Sequence, residues 1–335
     1  MAGVVTETAA GSARQAPVRR RRGLRWRVGY ALCGLAVVPA LVLGAVRLGG
    51  FDDGTYWAVL MATLPYAALA ALLGAAGLLG LRAWRTAVPA VLLVAVQVAW
   101  FAPRLVADAD AVPAGAPRLR VAVSNAYMGQ VDPAALVGLV RDQRVDVLAA
   151  VELNPVAARR VEAAGLADLM PQRIVTGDTV LYSRTPLTPV GVGTTAGAAA
   201  AGELTVAGKT VRVVPVHTFY PLGDPAKWAD GMRELKAEAA RSPRNTVMLG
   251  DFNATLDHAP MRELLGVGLA DTHEQLGKGL VPTWPEDYHD LPGVPPVIQI
   301  DHVLHGEALR PVAVSEHTLK GTDHRALVAE LALTG

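Results

Sequence analysis

Residues 247–264 read VMLGDFNATLDHAPMREL, an apolar run that ends in an acid and an amide separated by one aromatic. Period-two alternation along a strand places Asp251 and Asn253 on one face and turns Phe252 to the other. A polar pair is thus presented by a segment anchored through its own core residue. The same pattern recurs along the C-terminal part of the chain. Asn125 ends LRVAVSN, Glu152 ends VDVLAAVE, His217 ends KTVRVVPVH, Asp301 lies in VIQIDHVLH, and Asp323-His324 precede ALVAELAL. Acids, amides and imidazoles carried to the ends of separate apolar runs converge on one rim of a sheet, which is how a site is assembled.

Other chemistries lack their motifs. There is no HExxH, no CxxC and no tight histidine pair for zinc. A GxSxG elbow for serine hydrolysis and a GxxxxGKS phosphate loop are also missing. The other histidines read as bystanders. His302 points to the strand face opposite Asp301 and is structural, while His258, His273, His289, His305 and His317 occur singly in loops or at helix starts, where exposed polar residues are expected. Cys33, the single cysteine, lies in an apolar run and gives no disulfide framework. Arg184, Lys227, Trp228 and Trp284 fall near the polar runs and are candidate contacts.

The elements that position these residues occupy only part of the chain. Of 335 residues, 52% are hydrophobic, and the excess is concentrated before residue 107, whereas all eight histidines lie at or beyond His217. From Arg118 onward there are 20 Lys+Arg against 25 Asp+Glu, a net of −5, and the preceding part carries 11 against 5, a net of +6. A nucleic-acid binder shows a basic footprint, and the C-terminal part has none in its composition. Residues 1–27 read as a disordered basic cytoplasmic tail with arginines from Arg19 to Arg22 and at Arg25 and Arg27.

Three apolar spans follow, at 28–48, 56–81 and 86–102, each near the ~20 residues of a bilayer crossing. Arg82 and Arg85 fall between the second and third spans, and Asp52 and Asp53 follow the first, so positive-inside bias places the N-terminus in the cytoplasm. Three crossings then leave the remainder outside the cell. The spans contain no acid, His or Lys to mark a transport path, so 28–106 reads as an anchor in the lipid bilayer. Tyr56, Trp57 and Trp100 fit interfacial positions. Residues 107–117 form an Ala/Pro/Asp linker, and a new domain spans 118–335, with strand-like and helical runs in alternation. The Gly/Ala-rich stretch 191–202 reads as a flexible or edge segment without a catalytic role.

Taken in chain order, SNAY, VELN, PVHTFYP, GDFNAT, IDHVL and GTDH resemble the endonuclease/exonuclease/phosphatase superfamily, the deoxyribonuclease I-like fold that also contains sphingomyelinases and inositol-phosphate phosphatases. The resemblance covers residues 118–334. It implies an α/β fold, a two-sheet α/β sandwich with the site at one end of the paired sheets, here preceded by three transmembrane helices. It also implies hydrolysis of phosphate esters with Mg²⁺ or Mn²⁺.

Carried over by position, the resemblance makes Glu152 the principal metal ligand, with Asn125 and Asp323 in the metal shell. Asp251 aligns the attacking water and Asn253 donates to the phosphate. His324 contacts the phosphate with Asp301 on its other ring nitrogen, and His217 completes the clamp. One position departs from the pattern: many metal-dependent nucleases of the family carry an acid two residues after the first Asn, where this chain has Tyr127. The expected protein is a membrane-anchored, extracytoplasmic phosphodiesterase. Its net charge favours a phospholipid headgroup or small phosphorylated metabolite over nucleic acid. An extracellular nuclease and a catalytically silent sensor or interaction domain of the same fold are the alternatives.

Overall fold

The computed structural model describes residues 22–108, 111–191, 201–242, 244–287 and 292–335. Most of the basic tail, most of the Gly/Ala-rich stretch and His289 lie outside the described residues.

The N-terminal part is a helical bundle of α1 (Leu24–Gly49), α2 (Trp57–Met61), α3 (Leu64–Gly80) and α4 (Trp84–Phe101), with a 3₁₀ turn, Ala102–Leu105, after the last. Its outward residues are large and apolar, among them Leu35, Leu41, Leu73 and Leu92. Small residues face inward: a Cβ on Gly77 would lie 2.3 Å from Cys33 Sγ, so α1 and α3 approach each other through glycine.

Two helices, Leu24–Gly49 and Trp84–Leu105, are long and apolar enough to cross a membrane by length and composition. The expectation of three uniform spans needs correction at the second. That segment is divided at Ala62 and Thr63, with Pro65 fixing the new start, and α3 is left with 17 residues. At 1.5 Å per residue α3 is about 26 Å long, slightly short of a hydrocarbon core of about 30 Å. It nevertheless runs the length of the bundle. Trp26 at the start of α1 donates its indole N–H to Leu81 O just past the end of α3, while Tyr66 at the other end of α3 reaches the C-terminal domain.

The C-terminal domain has four layers. One six-stranded sheet runs in the order β11-β12-β1-β2-β4-β3 and the other β5-β6-β7-β8-β10-β9. The strands are β1 (Arg118–Asn125), β2 (Val147–Val151), β3 (Gln172–Thr176), β4 (Thr179–Ser183), β5 (Thr188–Val190), β6 (Ala201–Val206), β7 (Lys209–His217), β8 (Thr246–Asp251), β9 (Leu269–Asp271), β10 (Asp301–Gly306), β11 (Leu309–Thr318) and β12 (Arg325–Leu333). Helices α5 (Pro133–Asp142), α6 (Pro155–Val161) and α7 (Ala167–Leu169) belong to the first half, and α8 (Pro225–Ala239), α9 (Ala259–Leu265) and α10 (Thr272–Gln275) to the second.

Strand alternation builds the layers. Val121 and Val123 of β1 pack between the sheets with Val213 of β7 and Leu249 of β8, whereas Ala122 of β1 turns outward onto Leu136 and Val140 of α5. On the other side Val214 and Met248 pack under Trp228, Met232 and Leu235 of α8.

Each sheet has one parallel pair at its centre, β1 with β2 and β7 with β8. A parallel pair needs a crossover, supplied here by α5 and α8. Asp132 and Asp224 cap those helices by accepting from Ala135 N and Lys227 N, with Pro133 and Pro225 at the first turn. Both pairs therefore direct their C-terminal ends to the same rim of the sandwich.

Bundle and sandwich are joined by buried charge. Arg104 Nη2 lies 2.9 Å and Arg47 Nε 3.2 Å from Asp257 Oδ1, while Asp52 Oδ2 accepts from Ala259 N.

Candidate active site

The eight residues singled out in the sequence all reach that rim. Asn125 and Glu152 come from the ends of the first parallel pair, and His217 and Asp251 from the second, where they sit opposite each other in register. Asp301 of β10 faces Asp251 across an antiparallel ladder. Thr322, Asp323 and His324 enter on the turn before β12, fixed by the Thr322 hydroxyl donating to Asn125 O at 2.7 Å.

Glycine at position 250 is required by close approach. A Cβ there would fall 1.8 Å from Val216 O of the neighbouring strand. Just beyond, Glu152 and Asn253 adopt positive φ values of 53° and 48°, as do Tyr127 and Met128 at 46° and 51°. Backbone held in this region by non-glycine residues clusters at functional rims, where surrounding contacts fix it.

Hydrogen bonds organise the acids. Asn125 Nδ2 donates to Glu152 Oε1 at 3.0 Å and to Asp251 Oδ2 at 3.2 Å, bridging the two sheets. Met128 N donates to Glu152 Oε2 at 2.8 Å, and His217 Nε2 lies 3.4 Å from Oε1. Asn253 N donates to Asp251 Oδ1 at 2.8 Å, and its side-chain amide reaches Thr218 O. His324 Nδ1 is 2.8 Å from Asp301 Oδ2, with Nε2 3.8 Å from Asp251 Oδ2 and 4.0 Å from Asp323 Oδ1.

The electrostatics separate the carboxylates. Burial pushes Glu152 up, but hydrogen bonds from His217 and Asn125 outweigh it and hold the carboxyl at about 2. Burial dominates at Asp251 and raises it to about 6 against the opposing charge of His324. Asp323 is also raised, chiefly by burial. Burial alone would lower His324, yet Asp301 and Asp251 keep it protonated up to about 10. His217 is raised as well, since Glu152 and Asp251 overcome its burial. The rim thus holds one strongly ionised acid, one poised near neutrality and a charged imidazole.

The donor set suits a hard divalent cation. Glu152 Oε2 accepts a single protein hydrogen bond, from Met128 N, and retains a lone pair, and Asp323 Oδ1 is buried without a hydrogen-bond partner. A second grouping, Asp251, Asp301 and His324, has ligand atoms within 4.8 Å of one another. There Asp301 Oδ2 is held by His324 Nδ1, while Asp301 Oδ1 is buried without a hydrogen-bond partner.

The remaining candidates divide. Trp284 is at the site and donates Nε1–H to Asp323 Oδ2 at 3.1 Å. Trp228 is fully buried in the helical layer with its indole N–H on Phe252 O, and Arg184 lies at the far end of the sandwich against Val145 O and Asp146. Lys227 covers the Phe219 ring at 4.3 Å. Arg184 does not contact the rim, and Trp228 meets it only at the backbone carbonyl of Phe252.

His302 is structural as expected, held by Asp271 and Ala254 O. The expectation of exposed histidines is corrected at three positions. His258, His273 and His305 are buried: Ala58 O of the bundle reaches His258 and Glu316 of β11 reaches His273, whereas His305 is buried within β10 itself, beside Gly306 O. The Thr322 hydroxyl and the Met128 amide escaped sequence reasoning; the Thr in GTDH was the available signal for the first, and backbone donors leave none.

Residues 122–324 match the family described as the Endonuclease/Exonuclease/phosphatase family. Among solved structures, D. rerio TDP2 complexed with single-strand DNA product is similar at 17% identity and TM-score 0.51, covering 64% of this chain and 98% of that one. An endonuclease/exonuclease/phosphatase from Beutenbergia cavernae is similar at 19% identity and TM-score 0.52, covering 65% and 72%. An AP endonuclease from Archaeoglobus fulgidus is similar at 16% identity and TM-score 0.50, covering 63% and 98%. These likenesses establish a shared fold. No curated protein matches the chain in sequence.

Proposed function

The chain belongs to the Endonuclease/Exonuclease/phosphatase family of phosphate-ester hydrolases, and from that premise we propose that it is a membrane-anchored, divalent-metal-dependent phosphodiesterase. Its substrate is the headgroup of a lipid or a small phosphorylated metabolite at the outer face of the membrane. One observation carries the reading. Glu152, Asp251, Asp301 and Asp323 meet at one rim, and among the described residues their ion-pair partners are the histidines His217 and His324. Acids gathered without lysine or arginine are arranged for a cation and a proton.

Glu152, with Asn125 and Asp323 beside it, would hold Mg²⁺ or Mn²⁺, which when bound polarises a phosphoryl oxygen. Asp251, kept in place by Asn125 and the Asn253 amide, orients water in line with the leaving group and accepts its proton. Asn253, His217 and His324 donate to the phosphoryl oxygens as charge develops there. Asp301 fixes the His324 tautomer and keeps that ring cationic.

The bundle is the anchor, residues 28–106, linked through 107–117 to the catalytic domain 118–335 and preceded by a cytoplasmic tail, 1–27. Three antiparallel traverses support this topology. Arg22, Arg82 and Arg85 gather at the end of the bundle remote from the sandwich, and Asp52 and Asp53 lie at the near end, which supports a cytoplasmic N-terminus and an extracytoplasmic site. The net charge of −5 from residue 118 onward favours a small or lipid-borne phosphate over a duplex.

The test is hydrolysis by full-length protein in detergent of bis-p-nitrophenyl phosphate, phospholipid vesicles and DNA, with Mg²⁺, Mn²⁺ or EDTA. Metal-dependent turnover with phospholipid preferred over DNA is expected. Preference for DNA would make the protein a nuclease, and no turnover from folded protein on any substrate would make it a silent member of the fold.

A further inference from the structure

A cavity of about 280 Å³ lies where the helical bundle meets the sandwich. Pro65, Tyr66 and Leu69 of α3 form one wall. The other is built from the two segments that carry the site: Leu256, three residues after Asn253, and Ile298 and Gln299, just before Asp301. Tyr66 ties the walls together, donating its hydroxyl to Val297 O at 2.5 Å.

The lining is largely apolar; of its polar members Arg104 and Asp257 are paired with each other, and Gln299 stands apart from them. Gln299 is only 6% exposed, and neither its amide nitrogen nor its amide oxygen has a partner. A buried side-chain amide with donor and acceptor both unmet is uncommon and calls for a ligand or water. The α3 wall, by contrast, is open to the bundle surface: Tyr66 and Leu69 are about half exposed, in line with the exposed Leu72 and Leu73 further along the helix. Where the bundle sits in a bilayer, that opening faces lipid and not water.

We propose that this cavity is a binding site for a membrane lipid at its acyl-ester or acyl-amide region. The acyl chain lies against Pro65, Leu69 and Leu256, and the polar junction of the lipid meets the Gln299 amide, which can donate to a carbonyl and accept from a hydroxyl or N–H. The volume is at the lower end of ligand pockets, about 300 Å³ and upward, so it holds a segment of one lipid and leaves the rest in the membrane. The site adjoins the catalytic rim through its own wall. Ile298 pairs with Trp284, whose indole N–H holds Asp323, and Gln299 is two residues from Asp301. An occupied cavity therefore props the segment that orients two of the rim acids. The inference rests on the membrane placement proposed above, whichever phosphate ester is cleaved.

The experiment is photolabelling of the full-length protein in phosphatidylcholine nanodiscs doped with a diazirine-acyl phosphatidylcholine, with adducts mapped by mass spectrometry. Labelling of the peptide that contains residues 297–299 is expected beside labelling of outward α1 residues such as Leu32 and Leu35. Leu69→Trp, which fills the cavity, and Gln299→Met, which removes the amide but keeps an apolar wall, are each expected to lower the 297–299 adduct several-fold while α1 labelling persists. Labelled α1 with an unlabelled 297–299 peptide, or with an adduct indifferent to both variants, overturns the lipid site alone. An unlabelled α1 overturns the membrane placement and the site with it.

Discussion

The two ends of the sandwich treat carboxylates in opposite ways. At the end remote from the site, acids are paired with arginines: Glu330 is 2.7 Å from Arg120 and 3.2 Å from Arg118, Asp146 is 3.9 Å from Arg184, and Glu238 is paired with Arg212 and Arg241. At the site end, four acids share two histidines and an asparagine. The first arrangement neutralises charge locally, and the second leaves it for something that arrives. The contrast extends along a single segment. Asp251 is raised to about 6 by burial, whereas Asp257, six residues on, is clasped by Arg47 and Arg104. Sequence types alone do not distinguish the two; their partners do.

The comparison breaks most readily at Asp251. Asp251→Asn is expected to reduce kcat by about 10²–10⁴-fold, the usual loss of a proton-accepting group, with little change in melting temperature because a buried acid among acids is removed. Asp257→Ala does the reverse. It strands two buried guanidinium groups, and denaturant titration should show a loss of about 3–5 kcal/mol. Asn125→Ala leaves every acid in place but unfastens Glu152 from Asp251, and metal affinity by calorimetry is expected to fall about 10–100-fold.

The fourth expectation concerns pH. Asp251 accepts a proton only when ionised, so kcat/KM should fall tenfold per unit as pH drops below about 6. His324 donates only when protonated, so a decline is expected above about 10. A flat profile between pH 4 and 6 would remove Asp251 from the proton-accepting role. The smallest effect belongs to the far end: Glu330→Gln should cost roughly 0.2–1 kcal/mol, as exposed ion pairs do, and leave kcat unchanged.

Much of this was legible in the chain, and the physical reasons are specific. Residues that end buried strands announce themselves by a change of polarity, which is why Asn125, Glu152, His217, Asp251 and Asp323-His324 could be read as one rim. The central parallel strands β1, β2, β7 and β8, being continuous apolar runs, were likewise recognisable.

Edge strands were not. In β11, Pro311 and a half-exposed polar face weaken the alternating signal, and β3 is largely exposed. Long-range partners leave no local trace. Nothing near His258 indicates that Ala58 O, 200 residues earlier, accepts from its ring, and nothing near Arg104 indicates Asp257. The break in the second apolar span illustrates a third limit. Composition there is continuous, but Pro65 sets a new helix start, so hydropathy reads one long span where the backbone has a short helix and a 17-residue one.

The most direct test of the central claim is turnover of bis-p-nitrophenyl phosphate by full-length protein first stripped with EDTA and then titrated with Mg²⁺, beside Asp251→Asn treated identically. An acidic rim that lacks lysine and arginine and awaits a cation predicts no turnover when stripped, saturable recovery with Mg²⁺, and recovery at least about 10²-fold lower in the variant. Turnover that persists in EDTA, or that is undiminished in the variant, would contradict it.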